Sequence, residues 1–202
     1  MFEDWIGKWK AALTAPEDTF AKEMKNANLK DALVWSAAAG TVGGFVSGLL
    51  SALISLVFSP SVVSVLGLLF SPIMYAIGFA ILMPIGLIIS VGIMFLIAKL
   101  LGGEGSFTAQ AYLTSMFASP LVLVSVVCSA IPLGFLISGA LSLYQLYLEV
   151  LVLKAVHKFS TKRAVVAVLV PVIIAVILVF LMMATIFAII AAAGIAGATS
   201  GR

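Results

Sequence analysis

Charged residues are scarce in this chain, and their scarcity excludes a water-soluble protein. Only 9% of the 202 residues are Asp, Glu, Lys or Arg, whereas 63% are hydrophobic. A soluble domain carries about 25% charged residues, which it needs to cover its surface in water. The composition is therefore that of a protein whose solvent is the lipid bilayer.

Cysteine and histidine are almost absent, and this excludes further classes of protein. With Cys128 and His157 as the only examples, the chain has no internal disulfide and no metal site made of several Cys or His ligands. The motifs of phosphate-binding loops and serine hydrolases are also missing. We expect no catalytic residue, no cofactor and no metal. A net charge of only +3, without a basic stripe interleaved with aromatic residues, argues against nucleic-acid binding.

Long apolar runs predict the membrane spans. Between Asp31 and Glu149 the only charged residues are Lys99 and Glu104, which flank a glycine-rich break. About 20 apolar residues suffice for a helix to cross the hydrocarbon core. The runs predict five such helices, over residues 32–58, 74–100, 107–130, 134–156 and 164–190.

The predicted fold is an all-α membrane protein, a bundle of five transmembrane helices preceded by cytosolic amphipathic helices. It divides into a cytosolic or interfacial N-terminal segment (1–31), a five-span transmembrane domain (32–192) and a flexible tail (193–202).

Two Ser-Pro steps, Ser59-Pro60 and Ser71-Pro72, flank residues 61–70 and set them apart from the first and second spans. Proline interrupts a helix because it lacks the amide hydrogen and clashes with the preceding turn. The ten residues between the two Ser-Pro steps are too few to cross a membrane. We therefore expect residues 61–70 to form a re-entrant hairpin or a helix on the membrane surface.

The N-terminal segment is predicted to form two short amphipathic helices. Phe2, Trp5 and Trp9 fall on one face of the first helix. Tryptophan suits the lipid headgroup region, so we interpret these three residues as interfacial anchors. The alternative is that this face packs on the protein's own cytosolic loops.

Basic residues favour one orientation in the membrane. With five spans, ten of the eleven Lys and Arg residues lie on the side of the N-terminus, and Arg202 lies alone on the other side. Splitting residues 61–101 into two spans would instead divide the eleven basic residues five against six between the two sides of the membrane. The positive-inside rule favours five spans, with the N-terminus cytoplasmic and the C-terminus outside.

Small residues recur every four positions along the first span, at Ser36, Gly40, Gly44 and Gly48. Such a row lets another helix approach closely, which stabilises helix pairs in lipid. We predict a helix-packing surface here, and a pore lined by small residues is the alternative.

The fourth span carries a polar stripe with the spacing i, i+4, i+7 and i+11. Its members are Ser138, Ser142, Gln145 and Glu149. A carboxyl group inside a span indicates a functional site, such as a proton relay or a ligand contact. The alternative is a structural role in which Glu149 pairs with Lys99 or Lys154. Tyr144 flanks the stripe and is placed to donate a hydrogen bond to it, whereas His157, in the following loop, is expected to be solvated.

Several short motifs share their order and spacing with a known family. They are Ala15-Pro16-Glu17 with Phe20, the Gly102-Gly103 loop with Ser106 and Phe107, Ser119-Pro120, Ile131-Pro132 with Gly134, Tyr144, and the loop over residues 157–164. On these motifs the chain resembles the Yip1 domain family over nearly its full length. The resemblance implies a five-span membrane protein with a cytosolic N-terminus. Eukaryotic relatives act in ER–Golgi vesicle traffic, bind prenylated Rab GTPases and associate with one another.

The sequence differs from the eukaryotic branch of that family. It lacks the Asp-Leu-Tyr-Gly-Pro and Gly-Tyr-Gly motifs, and its N-terminal segment is short. These differences argue against binding of Rab-type GTPases and favour a bacterial or archaeal member. Such a member would lie in the plasma membrane, whereas a eukaryotic one would lie in the ER or Golgi.

The function expected from the sequence is that of a non-enzymatic membrane scaffold of the organisation or trafficking type. Its expected partners are the lipid bilayer and a second copy of the chain or other membrane proteins. The alternative is a small transporter, channel or lipid-translocating protein that uses the polar stripe.

Overall fold

A computed structural model describes residues 2–131 and 133–200, with side chains for residues 3–131 and 133–190. The described residues are almost entirely helical and form no strand. The helices are α1 (Phe2–Thr14), α2 (Pro16–Glu23), α3 (Leu29–Phe58), α4 (Val62–Leu100), α5 (Phe107–Ser129), α6 (Gly134–His157) and α7 (Thr161–Ser200). A short 3-10 turn, Met24–Asn26, follows α2.

Helices α3 to α7 are each long and apolar enough to cross a membrane, which confirms the predicted five-span bundle. Short connections make successive helices antiparallel. We call the end of the bundle that carries α1, α2 and the loops over residues 101–106 and 158–160 the near end. The opposite end, where the chain turns after α3 and after α5, is the far end. Helix α7 continues through Ser200, into the stretch that was predicted to be a tail.

Helix α4 is continuous, so the prediction of a separate re-entrant or surface segment over residues 61–70 is wrong. Pro72 and Pro84 both lie inside this helix of 39 residues. Proline is tolerated within membrane helices because neighbouring helices and local adjustments satisfy the freed backbone groups. Ser61 starts the helix instead, since its side chain accepts a hydrogen bond from the Ser64 amide and the Ser64 hydroxyl accepts one from the Ser61 amide.

Helices α3 and α4 form a closely packed antiparallel hairpin. A methyl group added at Gly40 would meet the carbonyl oxygen of Phe79, and one added at Gly44 would meet that of Tyr75. Gly48 makes the same close approach to α4 one turn further along. The absence of side chains at these positions therefore allows backbone contact between the two helices.

The largest core cluster lies at the near end and joins α1, α2, α3, α5 and α6. Its large, fully buried side chains are Phe20, Trp35, Tyr112, Leu113, Met116, Phe117, Leu148 and Val152. A smaller cluster attaches the first turns of α7 to α4 and α6. From Ile173 to Ile190, the side chains of α7 are exposed.

Helices α1 and α2 pack on the near end of the bundle. The rings of Trp5 and Trp35 meet edge to face with 6.5 Å between their centroids, and Trp9 packs on the core. The face that was interpreted as an interfacial anchor therefore contacts the transmembrane helices themselves. The side chain of Phe2 lies outside the described residues.

Candidate functional site

A groove between α4, α5 and α6 gathers most of the polar stripe. Ser142, Gln145 and Glu149 line it, and its volume is about 360 Å³, within the range of small-ligand sites. The other lining residues are Ser90, Val91, Met94, Thr114 and Leu146. Ser138 is not among the lining residues. It lies one turn further toward the far end, where its carbonyl accepts a hydrogen bond from the Ser142 hydroxyl at 2.9 Å.

Glu149 forms the buried floor of the groove. Its side chain is 8% exposed, and Oε2 accepts a hydrogen bond from the Thr114 hydroxyl at 3.1 Å. In contrast, Ser142 and Gln145 are exposed at the mouth. The groove thus runs from an open, membrane-facing side to a buried carboxyl group.

Neither basic residue proposed as a partner for Glu149 pairs with it in the described part of the chain. The Lys99 ammonium lies over the Phe95 ring, 5.3 Å from its centroid. Lys154 forms an ion pair with Glu17 at 3.5 Å. The prediction of an ion pair between Glu149 and Lys99 or Lys154 is therefore wrong.

A buried polar network continues from the groove to the near end. Gln110 is fully buried on α5, one turn before Thr114, and its Oε1 lies 3.0 Å from His157 Nε2. The Gly105 amide donates a hydrogen bond to His157 Nδ1 at 3.2 Å. Since Nδ1 accepts, the ring hydrogen lies on Nε2 and is donated to Gln110. The Gln110 amide nitrogen sits beside Glu149 but makes no hydrogen bond within the described residues.

The structure corrects the interpretation of His157 as a solvated loop residue. It is the last residue of α6 and is 1% exposed. Its ring packs between those of Phe95 and Phe159, with centroid distances of 5.7 Å and 5.5 Å. Sequence reasoning also missed Gln110, although the spacing of Gln110 and Thr114 (i, i+4) in an apolar run was a usable signal.

The glycine-rich loop before α5 is shaped by these contacts. A methyl group at Gly103 would meet the His157 ring, and one at Gly105 would meet the backbone and side chain of Val156. Gly102 has a positive φ of 81°, a conformation that glycine adopts at little cost. The loop therefore packs directly against the last residues of α6.

Ser106 and Phe107 then start α5. The Ser106 hydroxyl caps the helix by accepting a hydrogen bond from the Ala109 amide at 3.2 Å, as expected for a serine at this position. Phe107 meets the Phe95 ring edge to face, with 5.8 Å between centroids.

Tyr144 does not donate to the polar stripe as predicted. Its hydroxyl donates to the carbonyl oxygen of Leu13 at 2.6 Å, near the end of α1, and its ring stacks on that of Tyr147. Ser36, at the start of the small-residue row, is buried and donates to its own helix at the Leu33 carbonyl.

A second polar cluster fixes α1 and α2 to α5. Lys8 pairs with Glu23 at 3.3 Å, and the Tyr112 hydroxyl donates to Glu23 at 3.0 Å while accepting from Lys8 at 3.3 Å. Burial opposes the charge on Lys8, but its contacts with Tyr112 and Glu23 raise its pKa above the ordinary value. Burial likewise opposes the charge on Glu23, but hydrogen bonds from Asn26, Tyr112 and Lys8 lower its pKa.

The five apolar helices and their buried polar network define a polytopic integral membrane protein. Among the described residues, no group of three or more His, Cys, Asp or Glu side chains is placed to hold a metal ion. The sequence model of the Yip1 domain family matches residues 10–184 of this chain. The chain therefore belongs to the Yip1 domain family. No curated protein and no solved structure matches it.

Proposed function

We propose that this protein is a non-enzymatic membrane scaffold that organises the bilayer around it and associates with a second copy or with other membrane proteins. The observation that carries the proposal is the length of the α3–α4 hairpin. At 1.5 Å per residue, the 39 residues of α4 span about 58 Å. The hydrocarbon core of a bilayer is about 30 Å thick.

The hairpin is both apolar and stiff, so the surplus length acts on the surrounding lipid. Glycine contacts hold α3 against α4, and the start of α4 exposes apolar side chains such as Val62, Val63 and Phe70. A hydrophobic element longer than the bilayer tilts, or thickens the lipid around it, at a modest cost per ångström. Such mismatch also drives association of membrane proteins, since clustered proteins share the deformed lipid.

Reconstitution into bilayers of increasing acyl-chain length tests this proposal. We expect the full chain to cluster in thin bilayers and to disperse in thick ones, as measured by energy transfer between labelled copies. Gly44→Leu should weaken this dependence because the added side chain forces α3 away from Tyr75. Gly78→Leu is the matched control, since nothing lies within 4 Å of a methyl group there. Clustering that does not depend on bilayer thickness would contradict the proposal.

A second candidate function is transport or lipid translocation along the polar stripe. The groove supports it, because three of the four stripe residues line one cavity. Flux assays in liposomes should compare the native chain with Glu149→Gln. Absence of flux in both would remove this candidate.

We further propose that the near end faces the cytoplasm, in the plasma membrane of a bacterial or archaeal cell. The support is the charge distribution, with ten of eleven basic residues on the near-end side. A reporter fused after Arg202 should then report the non-cytoplasmic side, and a cytoplasmic signal would overturn this orientation.

A further inference from the structure

The groove between α4, α5 and α6, called the α4–α6 groove below, combines a buried carboxyl group with an opening toward lipid. Among the residues that the structure describes, no basic side chain pairs with that carboxyl group. The two ammonium groups that the sequence suggested as partners are engaged elsewhere, Lys99 over Phe95 and Lys154 with Glu17. A buried carboxylate without an opposite charge is costly in a low-dielectric environment. The groove therefore holds a negative charge without an opposite charge, and a positively charged ligand would neutralise it.

The hydroxyl groups of the groove add acceptors to this carboxyl group. Ser90 donates its hydrogen to the Leu87 carbonyl, Ser142 to the Ser138 carbonyl and Thr114 to Glu149. Because each hydroxyl hydrogen is already used in a hydrogen bond, the three hydroxyl oxygens can act only as acceptors for a ligand in the cavity. The lining thus fits a ligand rich in donors, and a primary ammonium group offers three N–H donors and a positive charge.

One donor and the apolar walls complete the match to a phospholipid. The Gln145 amide at the mouth is exposed and can donate to an anionic oxygen next to the ammonium group. Val91, Met94 and Leu146 supply apolar walls. Leu143, next to Ser142 in the chain, and Ile93, next to Met94, expose apolar surface along which an acyl chain can lie.

We infer that the α4–α6 groove binds a phospholipid with a primary ammonium headgroup, such as phosphatidylethanolamine, with the ammonium group on Glu149 and the phosphate at Gln145. The lipid enters sideways from the bilayer, through the open side of the groove. A choline headgroup is disfavoured because a quaternary ammonium donates no hydrogen bond, and among the described residues no aromatic side chain lines the groove to form a cation–π cage. This inference stands independently of the proposed scaffold role.

Photolabelling of the reconstituted full chain tests the inference. Vesicles of phosphatidylcholine would carry a trace of either phosphatidylethanolamine or phosphatidylcholine with a photoreactive acyl chain. We expect the ethanolamine probe to label peptides of α4 and α6 about tenfold more than the choline probe, the difference made by one charge-assisted hydrogen bond. Glu149→Gln should lower the ethanolamine signal to the choline level. Glu104→Gln should not, because that carboxyl group lies at the near-end surface, paired with Lys158.

A second variant separates loss of the site from loss of the fold. Ser142 is exposed, and its hydroxyl donates a hydrogen bond within its own helix, so Ser142→Leu should fill the mouth of the groove without changing the thermal unfolding temperature. It should reduce ethanolamine-probe labelling to the same level as Glu149→Gln. Equal labelling by the two probes, or a preference that survives both substitutions, would overturn the inference. Complete competition by free ethanolamine would also overturn it, because the ligand would then be a soluble amine.

Discussion

The two ends of the bundle differ in where their side chains find partners. At the near end, α1 and α2 cover α5 and α6, and bulky side chains such as Trp35, Phe117 and Leu148 are fully buried. Toward the far end, α4 and α7 expose apolar side chains, among them Val63 (78%) and Phe180 (71%). The near end is packed by protein, whereas the far end leaves its apolar surface to lipid.

The difference indicates that contacts at the near end determine how the helices are arranged. In lipid, apolar side chains gain little by contacting one another, so buried polar groups and close packing decide the arrangement. Both polar clusters, Lys8–Glu23–Tyr112 and His157–Gln110–Glu149, lie toward the near end. We therefore expect substitutions to be costly at the near end and nearly neutral in the exposed part of α7.

The largest effect is expected for Phe117→Ala compared with Phe180→Ala. Phe117 is fully buried and its ring lies 6.2 Å from that of Phe20, so its truncation leaves a cavity and should cost about 3 kcal/mol. Phe180 faces lipid, and its truncation should change stability by less than about 0.5 kcal/mol. Unfolding of both variants by a denaturing detergent measures the two costs. Equal costs would mean that the far end is packed by protein after all.

A smaller effect is expected for His157→Phe. The ring contacts with Phe95 and Phe159 are retained, but the Gly105 amide and the Gln110 carbonyl oxygen lose their buried partner. Water can replace His157 at the half-buried Gly105 amide, so the expected cost of about 1–3 kcal/mol comes from the buried Gln110 oxygen.

The same unfolding measurement, with the exposed Lys162→Gln as the control, checks this cost. A His157→Phe variant as stable as the control would show that the network is dispensable.

The smallest effect is expected from pH, at the contact between α2 and α5. The pKa of Glu23 is lowered, so its contribution is present above 4.5 and is lost as pH falls through the lowered value. The pKa of Lys8 is raised, so its contribution is present below 10.5 and is lost as pH rises through the raised value. Docking of α1 and α2 should be insensitive to pH between these limits and should weaken in acid by about 1 kcal/mol or less.

Tryptophan fluorescence measures this docking directly, because Trp5, Trp9 and Trp35, the only tryptophans of the chain, all lie at the near end. Glu23→Gln should flatten the acid limb of the titration. A titration unchanged by this substitution would show that other carboxyl groups cause the acid effect.

The number and order of the spans could be predicted from the sequence because a membrane helix is a local property of about 20 apolar residues. The error over residues 61–70 arose from applying to Pro72 the rule for helices in water. Within a bundle the hairpin partner packs so closely on α4 that the helix continues through the proline.

The polar contacts could be predicted only in part. Glu149 stood out as an intramembrane carboxyl group, but the choice of Thr114 over Lys99 as its partner depends on how α5 packs against α6. The contact between Lys8 and Tyr112 joins residues 104 positions apart, and no periodicity in a single sequence indicates such a pair.

The docking of α1 and α2 has a consequence for the order in which the molecule assembles during synthesis. These helices are made first, yet their partners include Tyr112 on α5 and Leu148 and Val152 on α6. At a translation rate of about 5–20 residues per second, the intervening chain takes on the order of ten seconds to emerge. Until then the first helices can contact only α3, through the rings of Trp5 and Trp35, and later α5. Their docking is thus a late event that only a nascent chain with α6 in place can complete.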